Sequence, residues 1–205
     1  MADQYVIPTP ASAQPPLISD ADITAAANAL GVEPAAIFAV SQVESGGRTG
    51  FDAQGRPKIL FEARWFHKFT NGIYDGSHPN LSQPTWDGAT KYYKDDQWAR
   101  LKEAFALNAE AALKSASWGK FQVMGFNHNG YPDVFKFCTA MFLSEKEHLT
   151  TFLSFCKDNN LLQYLKAKDW AKFAKGYNGE GYQANNYDKK LAAAYQAYKT
   201  QPGHA

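Results

Sequence analysis

The stretch from Ser19 to Gly47 reads as two consecutive helices whose ends are written into the sequence, and this constrains the fold more than any other feature. Ser19 with Asp22 three residues on has the form of a capping box. Gly31 is placed to stop the helix that follows. Pro34 suits the first turn of a second helix, whose Ile37, Phe38, Val40 and Val43 leave little of its surface polar. Gly46 and Gly47 end it. The same grammar returns after Thr90. Trp98, Leu101 and Phe105 form one stripe, and Asn108 is a cap for Ala111, Ala112 and Leu113. Asp133 follows Pro132 as another cap, and Ser144 with Glu147 precedes Leu149, Phe152, Leu153 and Cys156. Asp169 caps Trp170 to Lys175, and a last helix spans about Tyr187 to Tyr198. The chain is therefore expected to be mainly α.

One segment breaks the pattern. Two apolar-containing runs between Phe51 and Leu60 flank Gln54-Gly55-Arg56-Pro57, which predicts a small β-hairpin. Phe61, Trp65 and Phe69 fall at helical spacing after it. Residues 71–88 contain Gly72, Gly76, Gly88, Pro79 and Pro84 without periodicity, and a loop of that length is usually functional or mobile. Residues 1–18, with Pro8, Pro10, Pro15 and Pro16, are expected to be an extended lead-in outside the core. At 205 residues the remainder, 19–205, makes one domain.

Composition excludes several classes. Apolar residues at 45% and aromatics at 15% argue against disorder. Lys+Arg is 21 against Asp+Glu 20, so the basic excess of a nucleic-acid binder is missing. There is no apolar run of the roughly 18 residues a membrane span needs, so no stable membrane insertion is expected. Met1 to Tyr5 lack a basic n-region and an apolar h-region, which predicts synthesis in a cytoplasm without a signal peptide. Cys138 and Cys156 sit in apolar helical stripes and read as small core residues rather than nucleophiles. The five histidines, His148 and His67 among them, lack the spacing of a zinc helix motif, so neither a metal nor a cofactor is implied.

The chemistry points first to Glu44. It lies in the last turn of an apolar helix, where the negative end of the helix dipole and apolar neighbours both favour the protonated carboxyl. A raised pKa is what a general acid near neutral pH requires. Its surroundings sharpen the reading. Val43-Glu44-Ser45-Gly46-Gly47 resembles the glutamate-serine motif of the lytic transglycosylase and goose-type lysozyme superfamily. Ser117-Trp118-Gly119-Lys120-Phe121-Gln122 is similar to that group's second motif, which ends in a glutamine on a cleft-lining helix. Ala174 to Gly179 resembles its third, a tyrosine-asparagine-glycine turn. With Gly55 to Glu62, Ser115 to Gly119, Met124 to Asn127 and Tyr177-Asn178-Gly179, the chain resembles the N-acetylmuramidase family of phage endolysins from about Ala21 to Tyr198. Family members commonly carry Pro after the Tyr-Asn-Gly, where Glu180 stands here.

The resemblance implies an α+β lysozyme-like domain, with the small hairpin beside a catalytic cleft. It implies cleavage of the β-1,4 bond between N-acetylmuramic acid and N-acetylglucosamine for host-cell lysis. It further implies peptidoglycan glycan strands as the partner, action in the periplasm and holin-dependent release, and the chain is expected to be a monomer. Such a reaction needs an acid and something to stabilise an oxocarbenium-like transition state. Glu44 fits the acid. The second role is open between Glu62, which shares a strand face with Lys58 and Leu60, and Asp52 at the hairpin's start, with Glu62 preferred. A third option needs no second carboxylate: the substrate's own N-acetyl group attacks while Ser115 or Ser117 orients it or a water. Gln122, Tyr177 and Asn178 are substrate-binding candidates, and Trp118 is expected in the core. The alternatives are a lytic transglycosylase giving 1,6-anhydro products and a non-catalytic glycan-binding protein.

Overall fold

A computed structural model describes residues 5–11, 14–85, 90–128 and 130–201. Gly88 and the segment 202–205, with His204, lie outside the described residues, as does part of the lead-in. Helix α1 (Asp20–Leu30) starts with the capping box: Ser19 Oγ accepts from the Asp22 amide, and Asp22 Oδ2 accepts from the Ser19 amide. Gly31 ends it at φ 63°, a left-handed conformation that only glycine adopts at little cost. Helix α2 (Pro34–Ser45) has Pro in its first turn and stops at Gly46. Ala36, Ile37, Ala39 and Val40 have no exposed surface, so the helix is a core element for most of its length.

Strand β1 (Ile59–Phe61) is followed by α3 (Ala63–Phe69), α4 (Gln97–Leu107) and α5 (Ala109–Lys114). Then come β2 (Ala116–Trp118) and β3 (Val123–Met124). Helices α6 (Val134–Met141), α7 (Glu145–Asp158), α8 (Leu162–Ala167), α9 (Trp170–Asn178) and α10 (Tyr187–Lys199) complete the domain. The expected cap residues Asn108, Asp133, Ser144 and Asp169 each accept a backbone N–H at the start of their helices.

The sheet differs from the predicted hairpin. The arms around Gly55 meet only at the Phe51–Pro57 bridge, with the Asp52 amide donating to the Arg56 carbonyl. Beyond it, β1 pairs antiparallel with β2, setting Ile59 opposite Trp118 and Phe61 opposite Ala116. β2 in turn pairs with β3. The other edge of β1 is covered by side chains. Gln97 Oε1 accepts from the Phe61 amide, and buried Arg100 donates to the Phe61 carbonyl. Phe61 is thus a strand residue, and the helix expected from it begins at Ala63.

Two apolar clusters form the interior. One gathers α1, α2, α7, α9 and α10 around Ile37, Val40, Phe152 and Phe173. The other gathers β1, α3, α4, α5 and α6 around Phe61, Leu101, Trp118 and Phe137. β2 belongs to the second and β3 to the first, so this hairpin joins the two halves. Trp118 is a core residue, 1% exposed, as expected.

The lead-in is not loose. Tyr5 packs on Phe135 with ring centroids 4.8 Å apart, and the Ile18 amide donates to Glu145. Glu145 is 1% exposed and also accepts from the Gly50 amide at 2.6 Å. These bonds hold its carboxyl below the ordinary range despite burial. Beside it, His148 Nδ1 accepts from the Lys120 amide while Nε2 faces the Met141 carbonyl, which fixes the Nε2–H tautomer. Burial lowers the His148 pKa to about 4. This buried pair pins the lead-in, the loop after α2 and the β2–β3 turn to α7.

Candidate active site

Glu44 occupies the last turn of α2, two residues before the left-handed Gly46. It lines a cleft of about 420 Å³ with Ser45, Asp52, Lys58, Ile59 and Gln122. Part of its surface faces the cleft, yet dense packing disfavours the charged carboxyl and raises its pKa to about 7. The Asn178 amide and the charge of Lys190 pull the other way. Asn178 Nδ2 donates to Glu44 Oε1 at 3.0 Å.

A second cavity, of about 600 Å³, adjoins the first. Leu60, Glu62, Arg64, Tyr93, Asn178 and Tyr187 line it. Asn178 connects the two, since it lines the second and bonds the acid of the first. Glu62 follows β1 and stands at the N-cap of α3 without making a side-chain cap. Burial raises its pKa, while the charge of Arg64 and a 3.5 Å hydrogen bond donated by the Tyr93 hydroxyl favour the ionised form.

The other candidates divide. Asp52 lines the Glu44 cleft, but its carboxylate is committed to its own loop. Oδ2 meets Arg56 Nε at 2.7 Å, and Oδ1 accepts from the Gln54 and Arg56 amides, each at 2.9 Å. Ser117 Oγ donates to Gln122 Oε1 at 2.8 Å, so the serine orients the glutamine. Gln122 lines the cleft not from a helix but from the turn between β2 and β3, at φ 51°. Its Nε2 donates to the Gly119 carbonyl at 2.7 Å. Ser115 is fully buried and donates to the Ala111 carbonyl, so it supports α5 rather than facing the cleft. Tyr177 donates to the Phe121 carbonyl and stacks on Phe173 at 5.4 Å, which makes it a packing residue behind the site. Tyr177 and Asn178 do not form a turn: α9 continues through both, and Gly179 takes the positive φ of 82°.

Sequence reasoning missed Arg48, Lys120 and Tyr93 in this region. Tyr93 meets Glu62 across 31 residues, which no short window records, whereas Arg48 directly follows the Glu44 motif and Lys120 lies inside the Gln122 motif, so nearness to those motifs was the available signal. Among the described residues there is no cluster of three or more potential metal ligands. Both cysteines are buried, with thiol pKa values raised by burial, to about 12 for Cys138.

A helical domain of two halves, with a packed glutamate closing a helix beside a short antiparallel sheet, has the lysozyme-like fold. A family model described as N-acetylmuramidase matches residues 33–199, and the chain belongs to that family. A solved structure, the endolysin of Burkholderia phage AP3, is 40% identical, with a TM-score of 0.79. The match covers 91% of this chain and 72% of the phage protein. No curated protein matches the sequence. Among the described residues, no helix is long and apolar enough to cross a membrane.

Proposed function

We propose that the protein is a peptidoglycan-degrading endolysin that hydrolyses the β-1,4 bond between N-acetylmuramic acid and N-acetylglucosamine, with Glu44 as general acid. The observation that carries this reading is the placement of Glu44: packed, cleft-facing, and with its pKa raised to about 7. At neutral pH a large share of it is protonated and can give its proton to the leaving glycosidic oxygen. Glu62 is the second carboxylate. Burial raises its pKa above the ordinary carboxylate range while Arg64 and Tyr93 oppose that shift, and in its ionised form it would activate a water or balance the oxocarbenium-like charge. The two carboxyls line different cavities, which favours a water between them and inversion, the route associated with a separation of about 6.5 to 9.5 Å. Gln122, held by Ser117 and by its own bond to the Gly119 carbonyl, shapes the wall of the Glu44 cleft against which the sugar lies. Synthesis in the host cytoplasm and holin-dependent release complete the proposal. The test is the product. Digested sacculi analysed by mass spectrometry should give reducing muramic ends. Predominantly 1,6-anhydro ends would make the protein a transglycosylase.

A further inference from the structure

The floor of the Glu44 cleft carries more positive charge than its known neighbours balance. Arg48, Lys58 and Lys120 all line it. The acids within reach are already engaged: Asp52 pairs with Arg56, and Glu145 is buried under two backbone amides. Lys120 lies 3.6 Å from Glu145 and donates to the Arg48 carbonyl. Among the described residues, Arg48 and Lys58 form no ion pair. The whole chain has a net charge of only +1, so the concentration of cations here is local. Burial, together with the charges of Arg48 and Lys120, holds the Lys58 ammonium below its ordinary range, although Glu145 and Asp52 act the other way. An anion entering the cleft would relieve that repulsion.

We infer that Arg48 and Lys58 form a subsite for a carboxylate of the stem peptide borne by the muramyl residue. This rests on the peptidoglycan reading above. In peptide-bearing strands the lactyl carboxyl is tied up as an amide, so the available anions belong to the peptide. The subsite makes the enzyme selective for peptide-substituted over neutral glycan. Guanidinium and ammonium groups lining one cleft suit a carboxylate, which accepts charge-assisted hydrogen bonds from both.

Three substrates test this: intact sacculi, sacculi whose carboxylates have been amidated with carbodiimide and ammonia, and strands stripped of peptide by an amidase. For the native protein, amidation is expected to lower kcat/KM about tenfold, the equivalent of one charge-assisted hydrogen bond. Arg48→Gln with Lys58→Gln should lose a similar factor on intact sacculi and then respond to amidation by less than about twofold. Thermal unfolding checks that the variant is folded, and if it is not, the amidation response of the native protein decides alone. Indifference of the native protein to amidation overturns the subsite, as does an equal loss by the variant on intact and amidated sacculi. Stripped strands expose the lactyl carboxylate. If only these respond to the variant, the anion is the lactyl group and the stem-peptide assignment fails. A native protein that releases no muropeptide from any substrate contradicts the hydrolase reading itself, a distinguishable result.

Discussion

Asn178 Nδ2 donates to Glu44 Oε1 at 3.0 Å, tying the last residue of α9 to the last turn of α2. Burial raises the Glu44 pKa, and this bond, which favours the carboxylate, opposes it. The general acid is active when protonated, so kcat/KM should fall as pH rises through about 7. Asn178→Ala removes the opposing bond. Its alkaline limb should move to higher pH, measured as kcat/KM against pH on soluble muropeptide oligomers. A limb that stays or moves down would mean that Asn178 does not tune Glu44.

The same burial carries a stability cost. A carboxyl whose folded pKa lies at about 7, above an ordinary 4.5, favours folding fully below the lower value. That contribution disappears as pH rises through about 7. Glu44→Gln avoids the buried charge. It should be more stable than the native protein by about 1 to 3 kcal/mol at pH 8 and indistinguishable at pH 4. Thermal unfolding at the two pH values measures the difference, and a variant less stable at pH 8 would contradict the sign.

The competition for the second carboxylate separates by hydrogen bonding. Asp52 is held by Arg56 and two backbone amides, whereas Glu62 faces a cavity beside Tyr93 and Arg64. Glu62→Gln is expected to cost about 10²-fold or more in turnover. Asp52→Asn should cost less, and mainly through the loop. Matched kcat measurements on one substrate decide, and the reverse order would assign the role to Asp52.

Both thiols are buried in helices, Cys138 in α6 and Cys156 in α7, away from the cleft. Replacing both by Ser should leave activity per folded molecule unchanged. Stability should drop by about 1 to 3 kcal/mol for each hydroxyl that finds no partner. An inactive but folded double variant would reopen a thiol mechanism.

The helical frame was legible because its instructions are local. Ser19 with Asp22, Gly31, Pro34, Asp133 and Asp169 each act within a few residues of where they stand. The sheet was not, because Ile59–Phe61 pairs with Ala116–Trp118 across α3, α4 and α5, and no short window records that partner. The helix expected for Gln122 came with the resembled motif, whereas the residue stands in a turn at φ 51°, a conformation of which a non-glycine residue gives little local warning. Glu145 reads as an ordinary first-turn acid. Only the folded chain shows it gathering the amides of Ile18 and Gly50. For the site, the position of Glu44 near a helix end was readable, while the depth of packing that raises its pKa was not.

The central claim is that Glu44 supplies the proton that breaks the glycan. Its most direct measurement is the rate of turbidity loss when Glu44→Gln is added to permeabilised Gram-negative cells, with circular dichroism confirming the fold. Loss of a positioned general acid predicts a rate lower by about 10² to 10⁴-fold with an unchanged spectrum. A folded variant lysing within about threefold of the native rate would remove Glu44 from the mechanism.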